Sequence, residues 1–186
     1  MNAMRLTGPA AEPLTLQDAK DWLRVSSSDE DITIAALIST TRDRVERHTG
    51  LILIDQTWRL LLDAWPVDRC IRSPLRPLKS LDSVRVRDAA GVPTVLLASA
   101  FEVDSSSARI APRSDMMQPG QQLAGIELDI TVGFGTTTAT LPATLRQAMR
   151  SLLAFHFENR GDGSLPIQMP EDVLRLLAPF RLRRLA

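Results

Sequence analysis

The chain has 186 residues, 44% apolar and 24% charged, which supports one substantial domain or a domain carrying an insertion and excludes wholesale disorder. Its 22 basic and 22 acidic side chains cancel, which removes the simplest argument for a dedicated nucleic-acid binder and permits association with itself or with a partner. Cys70 is the single cysteine, no apolar run reaches the roughly 18 residues of a membrane span, and residues 1–13 lack the layout of a signal peptide, so the expectation is a soluble protein made in a reducing cytoplasm.

Residues 1–13, with Gly8, Pro9 and Pro13 and no periodicity, read as a flexible N-terminal arm. Thr15, with Asp18 three residues later, caps a short helix carrying Leu16, Ala19, Trp22 and Leu23 on one face and ending near Arg24. Ser28 then offers a second cap, with Asp29, Glu30 and Asp31 where the helix dipole favours negative charge. Ile34, Leu37, Ile38, Thr41 and Val45 recur at helical spacing, Arg42, Arg44, Glu46 and Arg47 occupy much of the remaining surface, and Gly50 stops the helix.

The period then changes to two. Over 57–64, Trp58, Leu60, Leu62 and Ala64 alternate with Thr57, Arg59, Leu61 and Asp63, which predicts a strand. Residues 81–87 alternate again, Asp88–Gly91 reads as a hairpin turn, and 92–97 as its return strand. Residues 101–104 and 109–111 give weaker strand signals, and 112–123 a loop. In 125–132, Ile126, Leu128, Ile130 and Val132 face one way and Glu127, Asp129 and Thr131 the other. Helix returns at Pro142, a first-turn proline, with Leu145, Ala148, Met149, Leu152, Leu153 and His156 on one stripe up to Arg160–Gly161. A last short helix covers 171–178, and the tail runs from Phe180 to Ala186.

The fold class expected is therefore α+β. A small bundle of about four helices carries an antiparallel β-module inserted between the second and third, with helix 29–49 packed on helix 142–160. The expected organisation is an arm (1–13), a helical core (14–55 and 140–180), the β-module (56–135) and a C-terminal tail (181–186).

Catalytic, cofactor and metal sites are not expected. Cys70 falls in a loop and His48 and His156 on helices, with nothing in the sequence to join them as nucleophile and base. His48 sits near a helix C-terminus, where a partly charged imidazole is mildly stabilising, and His156 reads as a packed or half-buried position. Structural zinc needs four Cys or His ligands, and three exist. Asp29–Asp31 has no calcium loop after it, and Gly133-Phe134-Gly135 lacks the lysine and immediate helix of a phosphate loop. Arg85 and Arg87 share a strand face that reads either as an inter-subunit contact or as a solvated face balanced by Asp82 and Asp88.

In order along the chain stand Glu12-Pro13-Leu14-Thr15-Leu16 with Ala19-Lys20-Asp21-Trp22-Leu23-Arg24-Val25, then Asp29-Glu30-Asp31, then Arg44-Val45-Glu46-Arg47-His48-Thr49-Gly50-Leu51 leading to Gln56-Thr57-Trp58. Later come Val132-Gly133-Phe134-Gly135 before Leu141-Pro142 and Leu145-Arg146-Gln147-Ala148, then Phe157-Glu158-Asn159-Arg160 and Leu177-Ala178-Pro179-Phe180-Arg181. Over 12–182 this series resembles the phage head–tail connector (adaptor) proteins, including those of prophages and gene transfer agents.

The resemblance implies a structural protein, not an enzyme, located in the neck of a virion or phage-like particle. Its subunits would form a ring, twelve-fold in the particle, beneath the portal protein. The ring would extend the DNA channel without sequence-specific binding and dock a tail-side head-completion or tail-terminator protein. The C-terminal segment of such proteins reaches into the portal. Here Phe180, Arg181, Leu182, Arg183, Arg184 and Leu185 form a basic, partly apolar run suited to that docking; a solvated terminus and contact with DNA phosphates are the other readings. The rival functions are a DNA-binding regulator built on the first two helices, which the acidic start of the second opposes, and a small enzyme.

Overall fold

A computed structural model describes residues 1–160 and 169–181. Among the described residues, four α-helices and antiparallel sheets make the protein α+β. The chain divides into two compact units, one of residues Met1–Ala10 and Asp55–Gly133, the other of Ala11–Ile54 and the chain from Phe134 onward.

The first unit is all β. Strands β1 (Asn2–Thr7), β2 (Gln56–Leu62), β4 (Leu78–Arg87), β5 (Pro93–Leu96) and β8 (Ile126–Val132) form an antiparallel sheet in the order β1-β2-β8-β4-β5. Strands β3 (Ile71–Arg72), β6 (Phe101–Asp104) and β7 (Arg109–Pro112) form a second, in the order β3-β7-β6. The alternation in β8 decides the packing. Ile126, Leu128, Ile130 and Val132 are all fully buried, and their partners in β2 include Leu62, Leu60 and Trp58. On the other side Val86, Val84, Leu81 and Leu78 of β4 register against the same four residues. Two register shifts in β4 bring these unevenly spaced side chains to one face, so the alternation visible in the sequence covers only the end of the strand. Ile71, Phe101 and Ile110 of the smaller sheet are buried as well.

Strand β1 is a correction to the sequence reading, which placed residues 2–7 in an unstructured arm. It pairs with β2 from Asn2↔Leu61 to Thr7↔Thr57. Only Ala3 is even half-buried, so β1 is held by its backbone ladder, and an edge strand without a buried face leaves no period-two pattern to read.

The second unit is helical: α1 (Leu16–Leu23), α2 (Asp31–Thr49), α3 (Ala143–Glu158) and α4 (Glu171–Leu177), the last continued by a 3-10 turn over Ala178–Phe180. Thr15 and Asp18 form the complete capping box, and Arg24 closes α1 in the left-handed region. Helix α2 packs on α1 and on α3, and α3 packs on α1 and on α4. Ile34, Ile38 and Val45 of α2 meet Leu145, Met149, Leu152 and Leu153 of α3 in one core, closed by Val173 and Leu177 of α4.

The α2 start differs from the sequence reading. Ser28 does not cap it; Glu30 occupies the cap position without a side-chain bond. The acidic run pairs instead: Asp31 with Lys20 at 2.6 Å, Glu30 with Arg160, and Asp29 with the Ser27 hydroxyl. Arg42, expected on the polar face, is 6% exposed, because its guanidinium is enclosed by Glu12, Asp43 and Glu46. Burial holds the Glu46 carboxyl above its ordinary range, against the opposing pull of the Leu53 amide and Arg42. At its far end α2 stops at Gly50 with φ 73°, as the sequence predicts.

Two substitutions test this core. Leu152→Ala deletes a fully buried side chain from the α2–α3 seam and lowers unfolding free energy by roughly 3 kcal/mol. Thr15→Ala removes only the cap and costs about 1 kcal/mol. Urea unfolding followed by far-UV circular dichroism measures both, and equal effects would contradict this ranking.

Candidate assembly surfaces

The residues singled out for docking begin where α4 ends. Phe180 is half-buried and packs against the helical core, so it anchors the segment, while Arg181 is exposed. Leu182, Arg183, Arg184 and Leu185 lie outside the described residues. His48 is half-buried near Arg181. Burial, and then the Arg181 charge, push its pKa down, against the mild stabilisation that a helix C-terminus offers a charged imidazole. His156 is likewise lowered, first by burial and then by Arg44, whose Nη1 lies 3.0 Å from its Nε2. Cys70 is partly exposed just before β3. Among the described residues no group of three His, Cys, Asp or Glu side chains is arranged to hold a metal, and no helix is long and apolar enough to cross a membrane.

The polar face of the larger sheet is a charge lattice that sequence reading missed. Glu127 and Asp129 of β8 are only 5% and 8% exposed. Asp129 accepts from Arg59 Nε at 2.7 Å and Nη2 at 3.0 Å, from Arg85 Nη1 at 2.8 Å and from the Ser83 hydroxyl at 3.1 Å. Glu127 accepts from Arg87 Nη2 at 2.6 Å and lies 3.2 Å from Arg59 Nη1. Arg85 and Arg87 are therefore balanced by the neighbouring strand and not by Asp82 or Asp88. The signal was present as three arginines and two acids at the same parity on three strands, but it became legible only with the β2-β8-β4 register. Arg59, helped by Arg85 and Ser83 and opposed by burial, holds the Asp129 carboxyl down to about 2.

Two grooves open on the helical unit. One, of about 290 Å³, is lined by Trp22, Ser151, Ala154, Phe155, Glu158, Pro170 and Asp172. Trp22, expected to face the core, is 42% exposed there, and the Arg150 guanidinium stacks 5.7 Å from its ring centre. The other, of about 470 Å³, lies between the start of α3 and the end of α4 and includes Arg146, Arg150 and Leu176.

No protein-family model and no curated protein matches the chain. Solved structures do match it. A chain in the neck of an empty gene transfer agent (GTA) particle computed with C6 symmetry is 29% identical with a TM-score of 0.83. One in the virion of a native gene transfer agent particle is 28% identical with a TM-score of 0.83. One in the neck of a native GTA particle computed with C12 symmetry is 29% identical with a TM-score of 0.78. Each alignment covers 100% of this chain and 98% of the other. The resemblance to head–tail connector proteins of phages and gene transfer agents, read from the sequence over 12–182, is borne out by these matches to the neck of gene transfer agent particles.

The charge lattice makes a direct prediction. Asp129 is held below its unfolded value, so its stabilisation, of about 2 kcal/mol, is complete above pH 4 and is lost as pH falls toward 2. Asp129→Asn leaves Arg59 and Arg85 with one carboxylate fewer and costs roughly 2 kcal/mol at pH 7. It also flattens the stability profile between pH 4 and 2. Urea titrations across that range read both effects, and a variant with the wild-type pH profile would show that the lattice carries no such linkage.

Proposed function

We propose that this chain is a structural head–tail connector, a subunit of a ring in the neck of a tailed-phage-like or gene transfer agent particle. The observation that carries this reading is the end-to-end match to neck chains, both compact units included, at TM-scores of 0.78 to 0.83. The C6 and C12 symmetries of two of those necks support closed rings of identical subunits joined by heterologous contacts. In this reading the helical unit is the connector core, and the β unit is a module built from the insertion Asp55–Gly133 and joined by the N-terminal strand. The ring lies beneath the portal, twelve-fold, and continues the DNA channel. Its zero net charge suits a passage through which DNA must slide.

The same reading makes the C-terminal run the portal-docking segment. Phe180 anchors it to the helical core, Leu182 and Leu185 enter apolar grooves of the portal, and Arg181, Arg183 and Arg184 meet carboxylates there. The opposite side of the ring receives the tail-side protein. Docking onto the portal supplies contacts that free solution lacks, which favours ring formation on the portal.

Removal of the gene from its parent element tests the role. DNA-filled heads without attached tails are expected, and intact tailed particles would end the proposal. Purified chain mixed with its portal forms a defined ring complex by electron microscopy. Arg183→Glu with Arg184→Glu weakens that binding by at least tenfold while leaving thermal unfolding unchanged.

A further inference from the structure

Resting on the ring reading, we infer that neighbouring copies meet through two different patches of the helical unit. The acidic first turn of α2, with Ile32 at its tip, enters the groove between α3 and α4 of the next copy. Ile32 is 88% exposed, although among the described residues the helical unit buries its other large aliphatic side chains wholly or in part. It projects from the turn bearing Asp29, whose bonds are to Ser27 and which has no cationic partner among the described residues.

The receiving groove has the complementary chemistry. Thr144, Gln147 and Leu176 line it, with room of about 470 Å³, and Arg146 and Arg150 supply charge. Neither arginine has a carboxylate partner among the described residues, and Arg150 Nε is buried without an acceptor. Three other arginines of the helical unit, Arg42, Arg160 and Arg175, each hold an acid. The first turns of two helices also oppose each other in sign. That of α2 carries side-chain carboxylates, and α3 opens with no acidic residue in its first turn and Arg146 on its fourth residue.

An apolar knob on one patch and a basic groove on another, both on one subunit, make a head-to-tail contact that closes into a ring when the rotation permits. Ile32 fills the space beside Leu176, and Asp29 meets Arg146 and Arg150. The contact would explain why an exposed isoleucine tops an acidic turn.

The test is a reconstruction of the neck of the wild-type particle. Asp29 within 4 Å of Arg146 or Arg150 of the adjacent copy is the result expected. A ring in which Ile32 faces solvent, or in which another virion protein fills the groove, overturns the inference while leaving the connector role intact; absence of the chain from the neck defeats the connector role itself. The genetic counterpart uses Ile32→Asp, which leaves thermal unfolding unchanged and lowers incorporation into particles at least tenfold. Asp29→Arg and Arg146→Asp each lower it, and the two together in one chain restore at least half. Wild-type incorporation of Ile32→Asp, or no rescue in the double variant, overturns the contact.

Discussion

The pairing of β2 with β8 is the constraint on which the fold depends. The long excursion between α2 and α3 begins at Asp55 and ends at Gly133, and its first and last strands are direct neighbours, with Gln56 opposite Val132. The two ends of the excursion therefore lie side by side in the sheet. The backbone enforces this at Gly133. Its φ is 141°, and a Cβ there would lie 2.6 Å from Asp55, so a side chain is excluded by both conformation and space. The Gly133-Phe134-Gly135 run, examined as a phosphate loop, is the joint where the chain re-enters the helical unit.

The elements most legible in the sequence are those whose buried face repeats without interruption. Strand β8 is an example, as is α3, whose stripe from Leu145 to Leu153 is fully buried. Legibility fell where something other than hydrophobic burial holds the chain. Strand β1 is held by main-chain pairing, β3 is two residues long, and the first half of β4 has its period broken by register shifts. Arg42 was misplaced for a related reason. A periodicity scan counts arginine as surface, whereas three carboxylates make its burial tolerable.

The assembly surfaces were less legible than the fold, because exposure is a property of packing and not of residue type. Trp22 of α1 and Ile32 in the first turn of α2 are both large apolar residues, yet each stands out of the core. What the sequence did carry was the ordered series of segments from Glu12 to Arg181. That series is distributed along both units, so its match to whole neck chains constrains far more than any single motif would.

All but two of the 22 basic residues, Lys20 and Lys79, are arginine, and the pairs give that a physical meaning. Composition alone does not say where the carboxylates stand. Arg59, Arg85 and Arg87 use the multi-donor fork to bridge acids across three strands, a geometry that a lysine ammonium reproduces poorly. Internal neutralisation on that scale makes a net charge of zero compatible with a highly charged chain. It also narrows the search for interfaces. Arg146 and Arg150 lie in one groove with no carboxylate partner among the described residues, which is what directs the search for a partner to that surface.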